Sequence, residues 1–188
     1  GVDGQAVEMW IWAPHGTLAD GYITQNVKNL PNGTYVFRAY AAASLQGTQE
    51  SNKEEITGIT LFANENVVPV ATDDPDKNDV KWAHTAKFNV AATVAEGGDL
   101  HVGLKVEQTN ANFTLIDNAT LYYFPGMSEA EALNEMAKID IAATIAIADT
   151  CFAHHMQVDT LALLNEAKAA AQTLTTADQL WQLNEDLY

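Results

Sequence analysis

Aromatic and imidazole side chains in the first half of the sequence offer the clearest chemistry. Trp10, Trp12 and Trp82 carry large flat rings, and His15 and His84 lie close to two of them along the chain. A flat apolar ring stacks on the C–H face of a sugar, while imidazole and guanidinium groups hydrogen-bond its hydroxyls. These residue types therefore indicate a binding surface for a small polar ring, provided that the tryptophans are exposed.

The local sequence predicts which tryptophans face solvent. In an extended Glu8-Met9-Trp10-Ile11-Trp12 segment the two indoles share a face, and we expect one of them in the core. Trp12 precedes the loop-like Ala13-Pro14-His15-Gly16, so we predict Trp12 to be exposed and Trp10 buried. Trp82 follows a long polar loop, which favours a second platform beside His84. The alternative for each tryptophan is an ordinary place in the core or at its rim.

A second candidate surface lies on predicted strands. Arg38 and Tyr40 alternate with apolar residues on one strand, and His101 and Lys105 do so on another. If both strands turn these residues to one side, the resulting sheet face clamps sugar hydroxyls or a uronate carboxylate. The alternative is a plain solvated face, because outward strand positions are usually polar.

Short β-branched and aromatic runs separated by turn residues predict that the first half is all strand. The turns Leu30-Pro31-Asn32-Gly33 and Gly97-Gly98-Asp99 each precede an alternating run. The predicted strands are Gly33–Ala42, Ile59–Ala63, Lys87–Val94, Leu100–Val106, Phe113–Ile116 and Ala119–Phe124. Many short strands without intervening helices indicate an antiparallel β-sandwich.

The composition changes at Phe124-Pro125-Gly126, after which the sequence holds no Gly or Pro. We therefore expect two domains, a sandwich at 1–125 and a helical domain at 127–188. Ser128 and Glu131 form a capping box for a first helix running to about Ala153. Asp159 is the expected cap of a second helix, and Thr175 or Thr176 that of a third. Short connections predict a three-helix bundle.

Charge and cysteine content exclude several classes of function. The 188 residues hold 25 acidic and 9 basic side chains, a formal charge of −16. Such a chain repels phosphate backbones and anionic membrane surfaces, so neither nucleic acid nor membrane is an expected partner. No apolar run approaches the ~20 residues of a membrane span. The single cysteine makes neither an internal disulfide nor a multi-thiolate metal site.

Several segments resemble a known family. They are LPNGTYVFRAYA, TLFAN, GDLHVGLKV and, most specifically, NFTLIDNATLYYF. Together they are similar to the galactose-binding-like jelly roll, or carbohydrate-binding-module-like domain, of surface proteins from gut Gram-negative anaerobes. The resemblance covers roughly residues 5–125, and Phe113 stands where many members have Trp. The helical half is similar to small helical linker modules found beside such sandwiches.

The resemblance implies a non-catalytic carbohydrate-binding module of a secreted or cell-surface protein. The expected partners are a glycan and other domains of a larger parent protein. The chain shows no signal peptide and starts at Gly1, so we expect an export signal to have been removed. Combining the surfaces above, we predict a glycan site with contributions from Trp12, His15, Arg38, Tyr40, Trp82, His84 and His101.

The resemblance also implies a structural Ca²⁺ near the chain ends, with Glu8 and Asp117 as its expected ligands. Asp117 has the alternative of capping a turn. The acidic 73–79 loop is a further calcium candidate, although its spacing departs from a helix-loop-helix site and fits a solvated acidic loop.

Two other functions stay open at this stage. An interaction or spacer module would present a contiguous apolar patch on the bundle, formed by Leu180, Trp181, Leu183 and Leu187. A glycosidase would need two opposed carboxyl groups ~5–10 Å apart in a cleft. The sequence holds none of the common hydrolase or nucleotide-binding motifs, so we expect no enzymatic activity.

Overall fold

The computed structural model describes residues 5–12, 15–45, 56–70, 85–152 and 158–186. The chain divides into two compact units, Gly1–Glu129 and Ala130–Tyr188. The predicted Trp82–His84 site and the acidic 73–79 loop lie outside the described residues.

Eight strands make up the described part of the first unit. They are β1 (Val7–Trp10), β2 (Gly21–Leu30), β3 (Gly33–Ser44), β4 (Ile59–Ala63), β5 (Asn66–Pro69), β6 (Ala86–Val94), β7 (Gly98–Val106) and β8 (Phe113–Phe124). The first sheet has the order β1-β8-β3-β6, and the second has the order β2-β7-β4-β5. All of their pairs are antiparallel, which confirms the predicted two-sheet antiparallel arrangement.

One apolar core lies between the two sheets. Alternate residues of β7, such as Leu100 and Leu104, are fully buried there, while His101 and Lys105 between them are exposed. Alternate residues of β3, such as Phe37 and Ala41, face them from the first sheet. The period of two that predicts these strands therefore also assigns their inward faces correctly.

β8 is one continuous strand, whereas the sequence predicts two. Its pairing with β3 shifts between Arg38 and Tyr40, and Asn118 has a φ of 47° at that point. Asp117 Oδ1 accepts a hydrogen bond from the Asn118 backbone N–H at 2.7 Å, which stabilises the irregular turn of the backbone. The polar Asp117-Asn118 pair marks a bulge in the strand.

The second unit contains three described helices, α1 (Glu129–Phe152), α2 (Val158–Ala171) and α3 (Ala177–Asp186). Thr176 caps α3, since its Oγ1 accepts from the Gln179 backbone N–H at 3.4 Å. Ile141 of α1 and Leu180 of α3 are buried in one small apolar cluster. None of the described helices is long and apolar enough to cross a membrane.

Candidate functional site

Trp10, the last residue of β1, and Trp12, two residues beyond it, form an exposed aromatic pair. The exposed fractions are 60% for Trp10 and 64% for Trp12, and the ring centroids are 6.3 Å apart with 69° between the ring planes. The predicted exposure of Trp12 is therefore correct, whereas the expected burial of Trp10 is wrong. We call these two residues the tryptophan pair.

The strand pattern explains why Trp10 is exposed. Among the described strands, β1 is an edge strand that pairs only with β8, and Trp10 lies opposite Phe113. Met9 packs against the core, so its neighbour Trp10 points away from the sandwich interior. An edge strand lacks a partner strand on one side, and the indole therefore stays open to solvent.

Backbone hydrogen bonds hold the chain next to the tryptophan pair. Ile11 N–H, between the two indoles, donates to the Asn112 carbonyl at 2.9 Å, and His15 N–H donates to the Trp12 carbonyl at 2.8 Å. Asn112 is itself 2% exposed, so this hydrogen bond anchors the segment to a buried residue. His15 is exposed, so the structure brings the predicted residues Trp12 and His15 together.

The predicted face uniting Arg38 and Tyr40 with His101 does not form. Arg38 and Tyr40 belong to the first sheet, and His101 belongs to the second. All three residues point away from the core between the sheets, so His101 lies on the opposite side of the sandwich. His101 packs its ring at 5.2 Å from the Phe62 ring instead.

Arg38 is also buried rather than exposed, with 6% of its surface accessible. Its Nε donates to Asn89 Oδ1 at 2.6 Å, and its guanidinium lies 5.5 Å from the centroid of the Tyr122 ring. Tyr40 is half-buried beside Lys87, whose Nζ lies 5.8 Å from the Tyr40 ring. These contacts hold the guanidinium against side chains of the first sheet.

Glu8 and Asp117, the predicted calcium ligands, lie on neighbouring strands. Glu8 pairs with Leu115, which places Asp117 diagonally across from it on the same sheet face. Ca²⁺ takes ~6–8 oxygen ligands, more than two carboxylates provide. No group of three or more His, Cys, Asp or Glu side chains arranged to hold a metal occurs among the described residues. The calcium site stays a prediction.

A cavity of about 400 Å³ opens between the two sheets, and we call it the side cavity. Its walls come from the residues around the start of β1 and the β8 bulge on one side, and from β2 and β7 on the other. Phe37, Val102 and Ile116 supply apolar surface, and Asp117 lies in the wall. Sequence reasoning missed this cavity because its two walls come from different sheets.

A tyrosine pair stabilises the turn that begins β3. The Tyr35 hydroxyl donates to the Pro31 carbonyl at 3.0 Å, and the Tyr35 and Tyr123 rings stack at 4.9 Å. Burial raises the pKa of the Tyr35 hydroxyl, with smaller contributions from Tyr123 and Glu96. Since Tyr35 lies in the core and lines neither surface described above, its role is structural.

Comparison with known proteins leaves the family of the chain open. No protein-family model matches it, and no curated protein matches it. One similar solved structure is the EclA C-terminal domain, a sugar-binding protein, with a TM-score of 0.42 and 14% sequence identity. That match covers 63% of this chain and 77% of the EclA domain. A likeness this distant carries no argument about function.

Proposed function

We propose that the first unit is a non-catalytic carbohydrate-binding module and that the tryptophan pair is its platform. The observation that carries the proposal is the exposure of two neighbouring indoles, 60% for Trp10 at the end of β1 and 64% for Trp12 two residues beyond it. Large aromatic rings are usually buried, and an exposed patch of them often marks a binding surface. Sugar rings offer the matching apolar faces, and His15, whose backbone N–H bonds to the Trp12 carbonyl, carries an imidazole that can hydrogen-bond hydroxyls.

We further propose that the sandwich is a jelly roll. The support is its pairing order, in which β1 pairs with β8, β2 with β7, β3 with β6, and β4 with β5. A long hairpin rolled into two four-stranded sheets produces this nested order, and jelly rolls of this kind occur in lectin domains. The fold by itself does not assign a ligand, so the tryptophan pair remains the basis of the functional proposal.

The absence of catalysis is part of the same proposal. Hydrolysis of a glycosidic bond by two carboxyl groups needs an opposed pair in a cleft. Asp117 is the single carboxylate among the described residues of the side cavity wall. Its Oδ1 already accepts the Asn118 backbone N–H, a structural use at the bulge.

The interaction-module alternative loses the patch on which it depended. Leu180 is fully buried, and Trp181 and Leu183 are half-buried in the cluster that α3 shares with α1. The three described members of the patch therefore pack within the helical unit, and Leu187 lies outside the described residues. We propose a three-helix bundle that acts as a spacer in a secreted or surface multidomain protein, with the sequence resemblance as support.

A glycan array tests the function directly. The full chain is compared with a double variant, Trp10→Ala and Trp12→Ala, with and without a chelator. Val67→Ala is the matched control, because Val67 is 57% exposed on β5, an edge strand of the other sheet. We expect the wild type and the control to bind the same glycans and the double variant to lose them. Wild-type protein that binds no glycan, or a double variant that binds equally well, would refute the proposal.

A further inference from the structure

We propose that the side cavity is a second ligand site, separate from the tryptophan pair, and that it takes a single neutral sugar ring. The two surfaces lie near opposite ends of β1, since Val7 lines the cavity and Trp10 belongs to the pair. Three residue steps along a strand separate them by about 10 Å. The volume of about 400 Å³ falls in the range of small-molecule sites, which is roughly 300–1,000 Å³.

The wall of the cavity combines an apolar surface with amide groups. Phe37, Ile116 and Val102 give it an apolar part, while Gln5, Gln25 and Asn118 contribute planar amides. Within the described part of the chain, the side chains of these three amide residues make no hydrogen bond. Each amide offers both a donor and an acceptor, which is the combination that adjacent sugar hydroxyls require.

The charge of the wall selects among small ligands. No lysine or arginine occurs among the described lining residues, so the wall there offers no cationic partner to an anion. An anionic ligand would also be repelled by a chain whose formal charge is −16. A purely apolar ligand would leave the amides of Gln5 and Gln25 without partners when it covers them. A neutral ring with one apolar face and several hydroxyls matches both parts of the wall.

The β8 bulge shapes this site. A regular strand would continue the alternation through Asn118, whereas here the residue has a φ of 47° and the register with β3 shifts beside it. Bulges change the direction of side chains and often lie beside binding sites. The bulge residues Asp117, Asn118 and Ala119 all line the cavity, so this irregularity gives the first sheet its part of the wall.

Heteronuclear NMR on the ¹⁵N-labelled full chain tests the site with simple monosaccharides in place of a natural glycan. The probes are galactose, glucose, mannose and N-acetylglucosamine at millimolar concentration, with cyclohexanol and glucuronate as comparison ligands. We expect at least one neutral sugar to shift the backbone amides of Ala6, Gln25, Gly103 and Asn118 in a saturable way. The indole N–H signals of the tryptophan pair serve as a separate reporter for the proposed platform.

Two variants make the test specific to the cavity. Ala119→Trp fills the cavity from an exposed position on the bulge, and we expect it to abolish the shifts of the cavity amides. Trp12→Ala should leave those shifts unchanged, so loss of the platform and loss of the cavity site are distinguishable. A spectrum that retains its dispersion shows that Ala119→Trp still folds. Gln25→Ala is a milder variant, at an exposed position whose side chain makes no hydrogen bond to a described residue, and we expect it to weaken sugar binding at least threefold.

Three results would overturn the inference. The first is the absence of cavity shifts with every neutral sugar. The second is a set of shifts that survives in folded Ala119→Trp. The third is a cavity that responds to cyclohexanol or glucuronate but to none of the sugars, which would show that the ligand class is wrong.

Discussion

The geometry of the tryptophan pair predicts unequal losses of glycan affinity when each indole is removed alone. The two ring planes meet at 69°, with centroids 6.3 Å apart. One flat sugar ring therefore lies face-on against only one of the indoles and meets the other by an edge. We expect one of the single variants, Trp10→Ala or Trp12→Ala, to weaken binding far more than the other.

The size of the larger loss follows from the exposed area. A tryptophan offers about 250 Å², and at 64% exposure about 160 Å² of Trp12 is open to solvent. Stacking covers one of the two ring faces, about 80 Å², which at ~25 cal/mol per Å² is worth about 2 kcal/mol. That free energy corresponds to roughly a 30-fold change in Kd. An edge contact covers much less area, so we expect a loss of roughly fivefold or less for the other indole.

Isothermal titration calorimetry with the best glycan from the array measures these Kd values. Val67→Ala is the exposure-matched control, and Trp-to-Tyr variants at both positions should recover part of the affinity because a smaller flat ring remains. Thermal unfolding of each variant establishes a temperature at which all of them are folded. Equal losses at the two positions, or no loss at either, would show that the tryptophan pair is not used as a stacking platform.

Three further predictions concern the scaffold. Gly33→Ala should lower the free energy of unfolding, measured in urea, by about 2 kcal/mol. A Cβ at this position would lie 2.5 Å from Tyr123 Cε2 and would displace the ring from its stack on Tyr35 and from its hydrogen bond to the Asn32 carbonyl. An unchanged urea midpoint would contradict this. Because the pKa of Tyr35 is raised, the folded state favours the neutral hydroxyl, so stability should hold below pH ~10 and fall as the pH rises through the folded pKa. Urea titrations at several alkaline pH values should show a shallower fall for Tyr35→Phe, and an identical pH dependence would remove Tyr35 as the cause. Thr176→Ala should cost the helical unit about 1 kcal/mol through loss of a helix cap, visible by circular dichroism, and Thr176→Ser should restore it.

The sequence predicts the strands that bury an apolar face and misses two exposed edge strands. β3 and β7 carry strict alternation because one face of each is buried, and their predicted cores match the structure. The sequence does not predict β2, an edge strand of the sequence GYITQNVKNL, or β5, a four-residue edge strand ending in Pro69. Most residues of these two strands are exposed, so their composition resembles that of loops.

For the candidate site, the sequence likewise fails to predict which residues share a sheet. Exposure of Trp12 follows from its neighbours in sequence, whereas a common face of Arg38 and His101 depends on which strands share a sheet. That assignment rests on pairings between distant segments, such as β3 with β8, and local periodicity does not encode them. The burial of Arg38 likewise depends on Asn89 and Tyr122, which come from two other strands.

Because β1 pairs with β8, the tryptophan pair acquires its fixed geometry only late in the synthesis of the chain. β1 emerges first, yet its partner strand within the sheet is the last strand of the sandwich to be made. Until β8 leaves the ribosome and inserts between β1 and β3, Trp10 and Trp12 have no fixed geometry. During that time their two large apolar rings stay exposed on a segment that has no partner strand. A nascent or truncated chain that lacks β8 would therefore associate non-specifically through these exposed rings before it could bind a glycan. Retention on an immobilised glycan would then report that the whole sandwich has formed.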